Sequence, residues 1–208
     1  MARPSGRDIR REVIEAASRA IQSRGANAFS FASIGQELGI AAPSIHHHFP
    51  RKADLSSAAV ADYAGRFRQQ LDDLTGHSAR HRLEAYAALF LAPAQRDLMC
   101  LCGAVAADWN GIDPTTRAEV AAFFDREIGW ITAQAAEAIE AGEFRPDLDP
   151  EAFATTFLAV LEGALLLARA QDDPGSVSNA ATFLLAEAAH RPAETTELSA
   201  RRRGRPRS

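Results

Sequence analysis

The stretch from Phe29 to Leu55, FSFASIGQELGIAAPSIHHHFPRKADL, constrains the fold of the chain more than any other segment. Apolar residues recur four apart on both sides of Gly39. This spacing predicts a helix over residues 31–38, a tight turn, and a second helix over residues 42–49. A glycine can adopt the positive φ that ends the first helix. The stretch therefore predicts a helix-turn-helix.

The second helix of this pair is predicted to have a polar outward face. Ile45 and Phe49 are four apart and should face inward. Small and hydrogen-bonding residues lie on or beside the outward face, namely Ala42, Pro43, Ser44, His46 and His47. A helix with such a surface can lie in the major groove and contact base edges. Ser30, at the start of the first helix, can cap it and is a further DNA-binding candidate.

Three consecutive histidines, His46 to His48, raise the question of a metal site. Neighbouring residues of a helix are about 100° apart, so three in a row do not converge on one ion. We expect His46 and His47 to face DNA and His48 to be partly a packing residue. No metal and no cofactor are predicted.

The arrangement SFASIGQELGIAAPSIHHHFPRKADL resembles the DNA-binding signature of the TetR family of bacterial transcriptional regulators. The matching positions are Ile34, Gly39, Ile40, Ser44, Ile45, His48, Phe49, Lys52 and Leu55, with His46 and His47 matching only as an aromatic-like pair. The departures are Ala41 where the family commonly has Ser, Pro43 where it has Gly, and His46 and His47 where it has Tyr. The resemblance is strong over residues 1–55 and weaker beyond them, and it implies a palindromic operator, a homodimer and a small-molecule effector.

Charge is distributed unevenly along the chain of 208 residues, whose net charge is −4. Residues 1–55 carry a net +3, residues 56–200 a net −12, and residues 201–208 a net +5. Basic ends on an acidic middle suit a protein whose ends meet phosphate. Two cysteines in the whole chain are typical of a reducing cytoplasm, where we expect the protein to act.

Two basic residues near the headpiece are candidate DNA contacts. Lys52, the only lysine, is expected at the start of the fourth helix, where its charge and the free N–H groups can serve one phosphate. The resemblance implies the same contact, and a solvated lysine is the alternative. Arg3 lies in a short arm that either reaches a minor groove or stays solvated.

The remaining chain predicts an all-α fold, because it lacks runs of alternating β-branched residues. Together with a first helix over residues 7–24 it has about nine helices, the later ones over residues 52–74, 80–91, 94–109, 114–141, 150–170 and 174–190. We assign residues 1–51 to a three-helix DNA-binding headpiece, 52–192 to a ligand-binding and dimerisation body, and 193–208 to a disordered basic tail. No signal peptide or uninterrupted membrane-length apolar run is expected.

The eighth helix, AFATTFLAVLEGALLLARA, is apolar over most of its circumference and must be buried on two sides. The ninth helix offers small residues that permit close approach. We predict a homodimer through a four-helix bundle of the last two helices of each chain, with an ordinary monomeric core as the alternative.

Aromatic and soft side chains of the body are candidates for lining an apolar effector pocket. They are Tyr86, Phe90, Met99, Cys102, Trp109, Phe123, Phe124 and Phe157. Such residues at helical spacing also make plain core. Cys100 and Cys102 are predicted to point to opposite sides of the sixth helix. Each is either a reactive thiol or an inert residue that fills space in the core.

The tail RRRGRPR resembles an AT-hook, which places arginines such as Arg203 and Arg205 in a narrow minor groove. A disordered basic tail without DNA contact is the alternative. A nucleoid-type architectural binder would rest on this tail alone.

These features predict a transcriptional regulator that binds double-stranded DNA, with a repressor released by a small molecule as the leading interpretation. Activation and ligand-assisted binding stay open. An enzyme is disfavoured because the chain has no glycine-rich phosphate loop and no GxSxG, HExxH or CxxC motif.

Overall fold

A computed structural model describes residues 6–27 and 29–189, with side chains from Ile9 onward. Arg3 and the whole tail, including Arg203 and Arg205, lie outside the described residues. The described helices are α1 Gly6–Arg24, α2 Phe31–Leu38, α3 Ala42–His48, α4 Lys52–Asp72, α5 Ala79–Ala94, α6 Leu101–Ala107, α7 Pro114–Glu140, α8 Pro150–Gln171 and α9 Gly175–Ala188. This part of the chain has no strand, and the predicted all-α fold is confirmed.

Helices α1, α2 and α3 form a compact three-helix headpiece. α1 buries Val13, Ala17 and Ile21 and packs on both α2 and α3. Ile34 of α2 and Ile45 of α3 are 1% and 0% exposed, so the inward faces predicted for both helices are correct. Burying aliphatic side chains of this size stabilises the headpiece by about 1.5–3 kcal/mol each.

The turn between α2 and α3 depends on two glycines. Gly39 has a φ of +67°, a left-handed conformation that ends α2 as predicted. Gly35 lies against the chain that leaves the turn, where its carbonyl accepts a hydrogen bond from the Ile40 N–H at 2.9 Å. A Cβ atom on Gly35 would lie 2.6 Å from the Ile40 carbonyl oxygen, so this close approach requires glycine.

Helix α4 connects the headpiece to the body without a break in the core. It packs on α1 at one end and on α7 and α6 farther along. Leu55, Ala59, Phe67 and Leu71 are buried along its length. The helix predicted over residues 52–74 is therefore present, and it ends at Asp72. The division of the chain at residue 52 stays a prediction, since buried residues continue across it.

The body is a bundle in which α8 lies between α7 and α9 and α5 packs on all three. Edge-on aromatic contacts fill its centre: the Phe67 ring lies 5.5 Å from Tyr86 and 5.7 Å from Phe123. By length and composition α8 is the one described helix that could cross a membrane. α8 is also a core helix of this bundle, and core helices of soluble proteins can be as long and as apolar as a membrane-spanning helix.

The predicted boundary between the fifth and sixth helices is wrong. α5 does not stop before Pro93 but contains it and ends at Ala94. The chain leaves the helix directly after this last turn: Leu98 N–H bonds back to the Pro93 carbonyl at 3.0 Å, and Asp97 takes a φ of +53°. α6 begins only at Leu101, so Cys100 caps it instead of lying within it.

Candidate functional site

The outward face of α3 is accessible in the structure. Pro43, Ser44, His46 and His47 are exposed, and Ala42 is half-buried. Pro43 occupies the first turn, where a missing N–H costs no helical hydrogen bond. Buried Ile45 holds this face outward. The five residues predicted to face DNA therefore lie together on one surface.

The two exposed histidines are held differently. The His46 ring meets the Phe31 ring of α2 edge-on at 4.5 Å, which fixes its position over the headpiece. His47 contacts the ring of half-buried His48 at 5.4 Å. His47 is thus the histidine of α3 with the freer outward side, while the partial burial of His48 agrees with its predicted packing role.

Ser30 uses its hydroxyl to cap α2. Its Oγ accepts a hydrogen bond from the Ser33 N–H at 3.0 Å, and Ser33 Oγ accepts one from the Ser30 N–H at 2.9 Å. This reciprocal arrangement satisfies two free donors at the helix start. The Ser30 hydroxyl also donates to Ser33 Oγ at 3.2 Å, so its hydrogen is used within the cap, although the residue itself is exposed.

Lys52 begins α4 as predicted, but its side chain folds back on the headpiece. Its Nζ donates to the Asn27 carbonyl at 3.2 Å and lies 4.6 Å from the centre of the Phe29 ring. Partial burial lowers the pKa of the Lys52 ammonium, against an opposing effect of Asp108. The ammonium still carries charge at neutral pH, because its usual pKa is far higher.

Asp54, in the first turn of α4, partly occupies the N-terminus of this helix. Asp54 accepts a hydrogen bond from the Arg51 N–H at 2.9 Å and pairs with the Arg51 guanidinium. These hydrogen bonds, with the charge of Arg51, lower the pKa of the Asp54 carboxyl. A phosphate at this end of α4 would therefore meet Lys52 and the exposed arginine more than free backbone N–H groups.

Most of the predicted effector residues fill the core instead of surrounding one cavity. Five are 0–2% exposed, namely Tyr86, Phe90, Cys102, Phe123 and Phe157. Trp109 is 42% exposed and lies under the Arg117 guanidinium at 5.6 Å. The buried aromatic residues among them pack on each other between the helices. A role of these six residues in binding an effector stays a prediction.

The other two predicted residues, Met99 and Phe124, line a cavity of about 680 Å³. Its walls come from the C-terminal end of α1, from α6, from α7 and from α8. A second cavity of about 550 Å³ lies between α4 and α5, with a more polar and charged lining that includes Arg66, Asp73 and Arg96. Both volumes fall in the range of small-molecule sites.

Glu162 is a residue of the first cavity that sequence reasoning missed. One of its carboxylate oxygens, Oε1, is buried and has no hydrogen-bond partner among the described residues. Burial raises the pKa of the Glu162 carboxyl to about 7, against a smaller effect of a hydrogen bond with the Cys100 thiol. The sequence signal was present, because Glu162 is the lone acid within the apolar run FLAVLEGALLL.

Both cysteines are buried and free. Burial raises the pKa of Cys100 and of Cys102, and the charge of Glu162 acts in the same direction. Cys100 also accepts a hydrogen bond from the Tyr63 hydroxyl, at 3.7 Å to its Sγ. A buried thiol with a raised pKa carries little thiolate, which favours the filling role of these residues over the reactive one.

Large apolar side chains are exposed on α8 and α9. Leu166 and Leu167 of α8 are 60% and 55% exposed, and Phe183 of α9 is 64% exposed. Next to Leu166, α8 carries small residues, such as exposed Ala159 and half-buried Gly163. Exposed leucine and phenylalanine on adjacent helices are typical of a surface that another protein covers.

Comparison with known families agrees with both halves of this architecture. Residues 13–59 match the family described as "Bacterial regulatory proteins, tetR family". Residues 79–184, slightly more than half of the chain, match the one described as "Tetracyclin repressor-like, C-terminal domain". No curated protein matches the chain significantly in sequence.

Solved structures match over nearly the whole chain. A TetR-family transcriptional regulator from Agrobacterium tumefaciens has a TM-score of 0.85 and 28% identity, covering 89% of this chain and 100% of that one. A TetR regulator from Legionella pneumophila has a TM-score of 0.75 and 26% identity, covering 83% and 93%. One from Chloroflexus aurantiacus J-10-FL has a TM-score of 0.76 and 26% identity, covering 88% and 96%.

The helix-turn-helix on a helical body, the two family matches and these structures lead to one conclusion. The chain belongs to the TetR family of transcriptional regulators.

Proposed function

We propose that this protein is a sequence-specific DNA-binding regulator, a repressor that a small molecule releases from a palindromic operator. The observation that carries the proposal is the outward face of α3, where Ser44, His46 and His47 are exposed together above buried Ile45. A helix of this kind places donors and acceptors within reach of base edges in the major groove.

The remaining predicted DNA contacts have positioning roles in this proposal. Lys52 supplies a charge to a phosphate at the start of α4, and Ser30 contributes its exposed hydroxyl beside α3. Such contacts fix the register of the protein on the duplex without reading sequence. Arg3, Arg203 and Arg205, outside the described residues, are proposed to reach minor grooves next to the main contact.

The functional unit is proposed to be a homodimer joined through α8 and α9. Leu166, Leu167 and Phe183 are the exposed apolar residues that a second chain would cover. The small residues beside them permit helices to approach closely. A two-fold dimer places two α3 helices about one DNA turn apart, roughly 34–36 Å, and so requires a pseudo-palindromic operator.

Release by a ligand follows from where the 680 Å³ cavity lies. One wall is the end of α1, which belongs to the headpiece, and the opposite wall is α8, which belongs to the proposed dimer interface. A molecule that binds better when these walls take a different separation shifts the dimer toward a state in which the headpieces no longer fit the operator. Binding of the ligand would then weaken binding of the operator, and binding of the operator would weaken binding of the ligand.

The protein is proposed to act in the cytoplasm as a binding protein without enzymatic activity and without a cofactor. Its partners are double-stranded DNA, one small-molecule effector and a second copy of itself.

Selection of bound duplexes from a random DNA pool tests the function directly. The proposal predicts enrichment of one inverted repeat, and the triple variant Ser44→Ala, His46→Ala, His47→Ala should fail to enrich it while remaining folded. Recovery of no preferred sequence by the wild-type protein would refute specific regulation and favour an architectural binder.

A further inference from the structure

The 680 Å³ cavity between α1, α6, α7 and α8 combines an apolar wall with two half-buried acids, Glu162 and Asp108. Ile21, Met99, Phe124 and Leu166 contribute apolar surface, and small residues of α6 such as Ala104 leave the space open. Glu162 is the carboxylate that α8 contributes. Apolar cavities with a few well-placed polar groups are typical of small-molecule sites, and those groups set the ligand class.

The carboxylate of Glu162 lacks a cationic partner. Its Oε1 is buried without a hydrogen bond, and none of the described Arg, Lys or His side chains forms an ion pair with it. Space for the carboxylate is provided by Gly103, since a Cβ atom there would overlap Glu162 Oε2. A buried acid without a partner costs free energy in the empty protein, and a ligand that neutralises it regains that energy.

The arginines at the cavity do not fill this role. Arg169 pairs with Asp97 at 3.2 Å and donates to the Ser23 carbonyl, which holds its guanidinium at the end of α1. Arg24 is exposed, so solvent screens its charge. Arg169 is thus held by Asp97 and Arg24 is exposed, whereas Glu162 has no ion pair with a described residue.

A buried acid adds to the negative field behind this wall. Glu127 of α7 is 4% exposed, and its Oε2 has no hydrogen-bond partner among the described residues. Burial raises the pKa of the Cys102 thiol on the neighbouring helix, and the charges of Glu162 and Glu127 act in the same direction, against an opposing effect of Arg126. Two acids thus act on one buried region, and both favour a positive charge there.

We propose that this cavity binds a hydrophobic organic cation, a molecule with an apolar body and one amine or quaternary ammonium group that Glu162 neutralises. The apolar body contacts Ile21, Met99 and Phe124, and the aromatic ring of Phe124 adds a favourable surface for a cation. Binding of the cation to the cavity requires no DNA. Only the role of this molecule as the effector rests on the proposed function.

Isothermal titration calorimetry on the full-length protein, without DNA, tests the inference. The probes are benzyltrimethylammonium, benzyltriethylammonium and benzyltributylammonium, with neopentylbenzene as the uncharged isostere of the first and benzylsulfonate as an anion. The variants are Glu162→Gln, which keeps the shape but removes the charge, and Glu151→Gln, an exposed acid in the first turn of the same helix.

We expect the wild-type protein and Glu151→Gln to bind at least one of the cations more tightly than either control ligand. Glu162→Gln should lose about tenfold in affinity for that cation, as expected when a buried charge pair is lost. Cation binding at pH 7 should also release protons from the wild-type protein, measured in buffers of different ionisation enthalpy, because Glu162 must ionise. Glu162→Gln should release fewer protons, because only Glu127 can then ionise.

Three results would overturn the inference: no binding of any cation at millimolar concentration, equal binding of the uncharged isostere, or cation binding by the wild-type protein without proton release. The last readout needs no variant, so it decides even where Glu162→Gln does not fold. If a cation binds as expected but leaves the selected operator bound, the cation site stands and the ligand-released mechanism fails. DNA selection tests the proposed function separately.

Discussion

Gln22, in the last turns of α1, and Met99, just before α6, exchange two hydrogen bonds. Gln22 Nε2 donates to the Met99 carbonyl, and the Met99 N–H donates to the Gln22 carbonyl, each at 3.0 Å. Met99 also lines the 680 Å³ cavity. The headpiece is therefore tied to the body at the wall of the proposed effector site, in addition to its connection through α4.

Replacement of Gln22 by alanine should weaken this tie. The variant loses the side-chain hydrogen bond, which is expected to lower the free energy of unfolding by about 1 kcal/mol. Hydrogen exchange followed by mass spectrometry should show faster exchange over residues 95–101, because the Met99 N–H opens more often. Gln70→Ala, an exposed glutamine of α4, is the control. Unchanged exchange in Gln22→Ala would mean that the contact does not hold the two parts together.

Gly35 is predicted to be irreplaceable in the headpiece. A Cβ atom there would lie 2.6 Å from the Ile40 carbonyl oxygen, which is backbone and cannot rotate away. Gly35→Ala should destabilise the protein by about 1–3 kcal/mol through overpacking. Gly129→Ala, at an exposed site of α7 with open space around it, should instead stabilise by about 0.5–1 kcal/mol. Urea unfolding measures both, and equal effects of the two variants would contradict the close approach.

Glu127 makes stability depend on pH in a defined direction. Burial raises the pKa of its carboxyl from 4.5 to about 7, so the folded protein holds a proton that the unfolded chain has released. The folded state binds more protons between these values, and stability contributed by this group falls as pH rises from about 4.5 to 7.

Glu127→Gln removes this loss. Its stability gain over the wild-type protein should be larger at pH 8 than at pH 5 by about 2–3 kcal/mol, since one pKa unit corresponds to about 1.4 kcal/mol. The amide's own packing cost is the same at both pH values and cancels. Glu140→Gln, an exposed acid at the end of α7, should show no such change. If the stability gain of Glu127→Gln is independent of pH, Glu127 is ionised in the folded protein, as it is in the unfolded chain.

Lys52 and His47 should differ in how they affect DNA binding. Lys52→Ala is expected to weaken binding to all duplexes alike and to reduce the slope of log K against log salt by about 1, as loss of one phosphate contact does. His47→Ala should change base preference at one position of each half-site, by about 1–3 kcal/mol, with the salt slope retained. Fluorescence anisotropy at several salt concentrations separates the two, with Arg68→Ala of α4 as the control. A sequence-dependent effect of Lys52→Ala would contradict its positioning role.

The headpiece was predictable from sequence because its signals are local. Gly39 and the apolar residues that recur four apart on both sides of it, from Ile34 in α2 and from Ile45 in α3, specify both helices and the turn within 18 residues. The predicted bounds of α2 match those observed. The end of α5 was not predictable in this way. Pro93 normally ends a helix, but here hydrogen bonds from later residues and the positive φ of Asp97 complete the turn after it.

The interior of the body was the least predictable part. Phe123 and Phe124 are adjacent and equally apolar, yet one is fully buried in the core and the other lines the cavity. Helical periodicity identifies an inward face but does not determine where neighbouring helices leave space. The unpaired state of Glu162 likewise depends on Gly103 of another helix, which lies far away in sequence.

Footprinting on the selected operator, combined with sedimentation analysis of the complex, shows whether two chains bind one operator. We expect two protected regions about one helical turn apart and two chains per duplex. Leu167→Glu, which places a charge on the exposed apolar face of α8, should abolish both features together. A single protected region bound by one chain, or a Leu167→Glu variant that binds like the wild-type protein, would contradict the dimer that places two α3 helices on DNA.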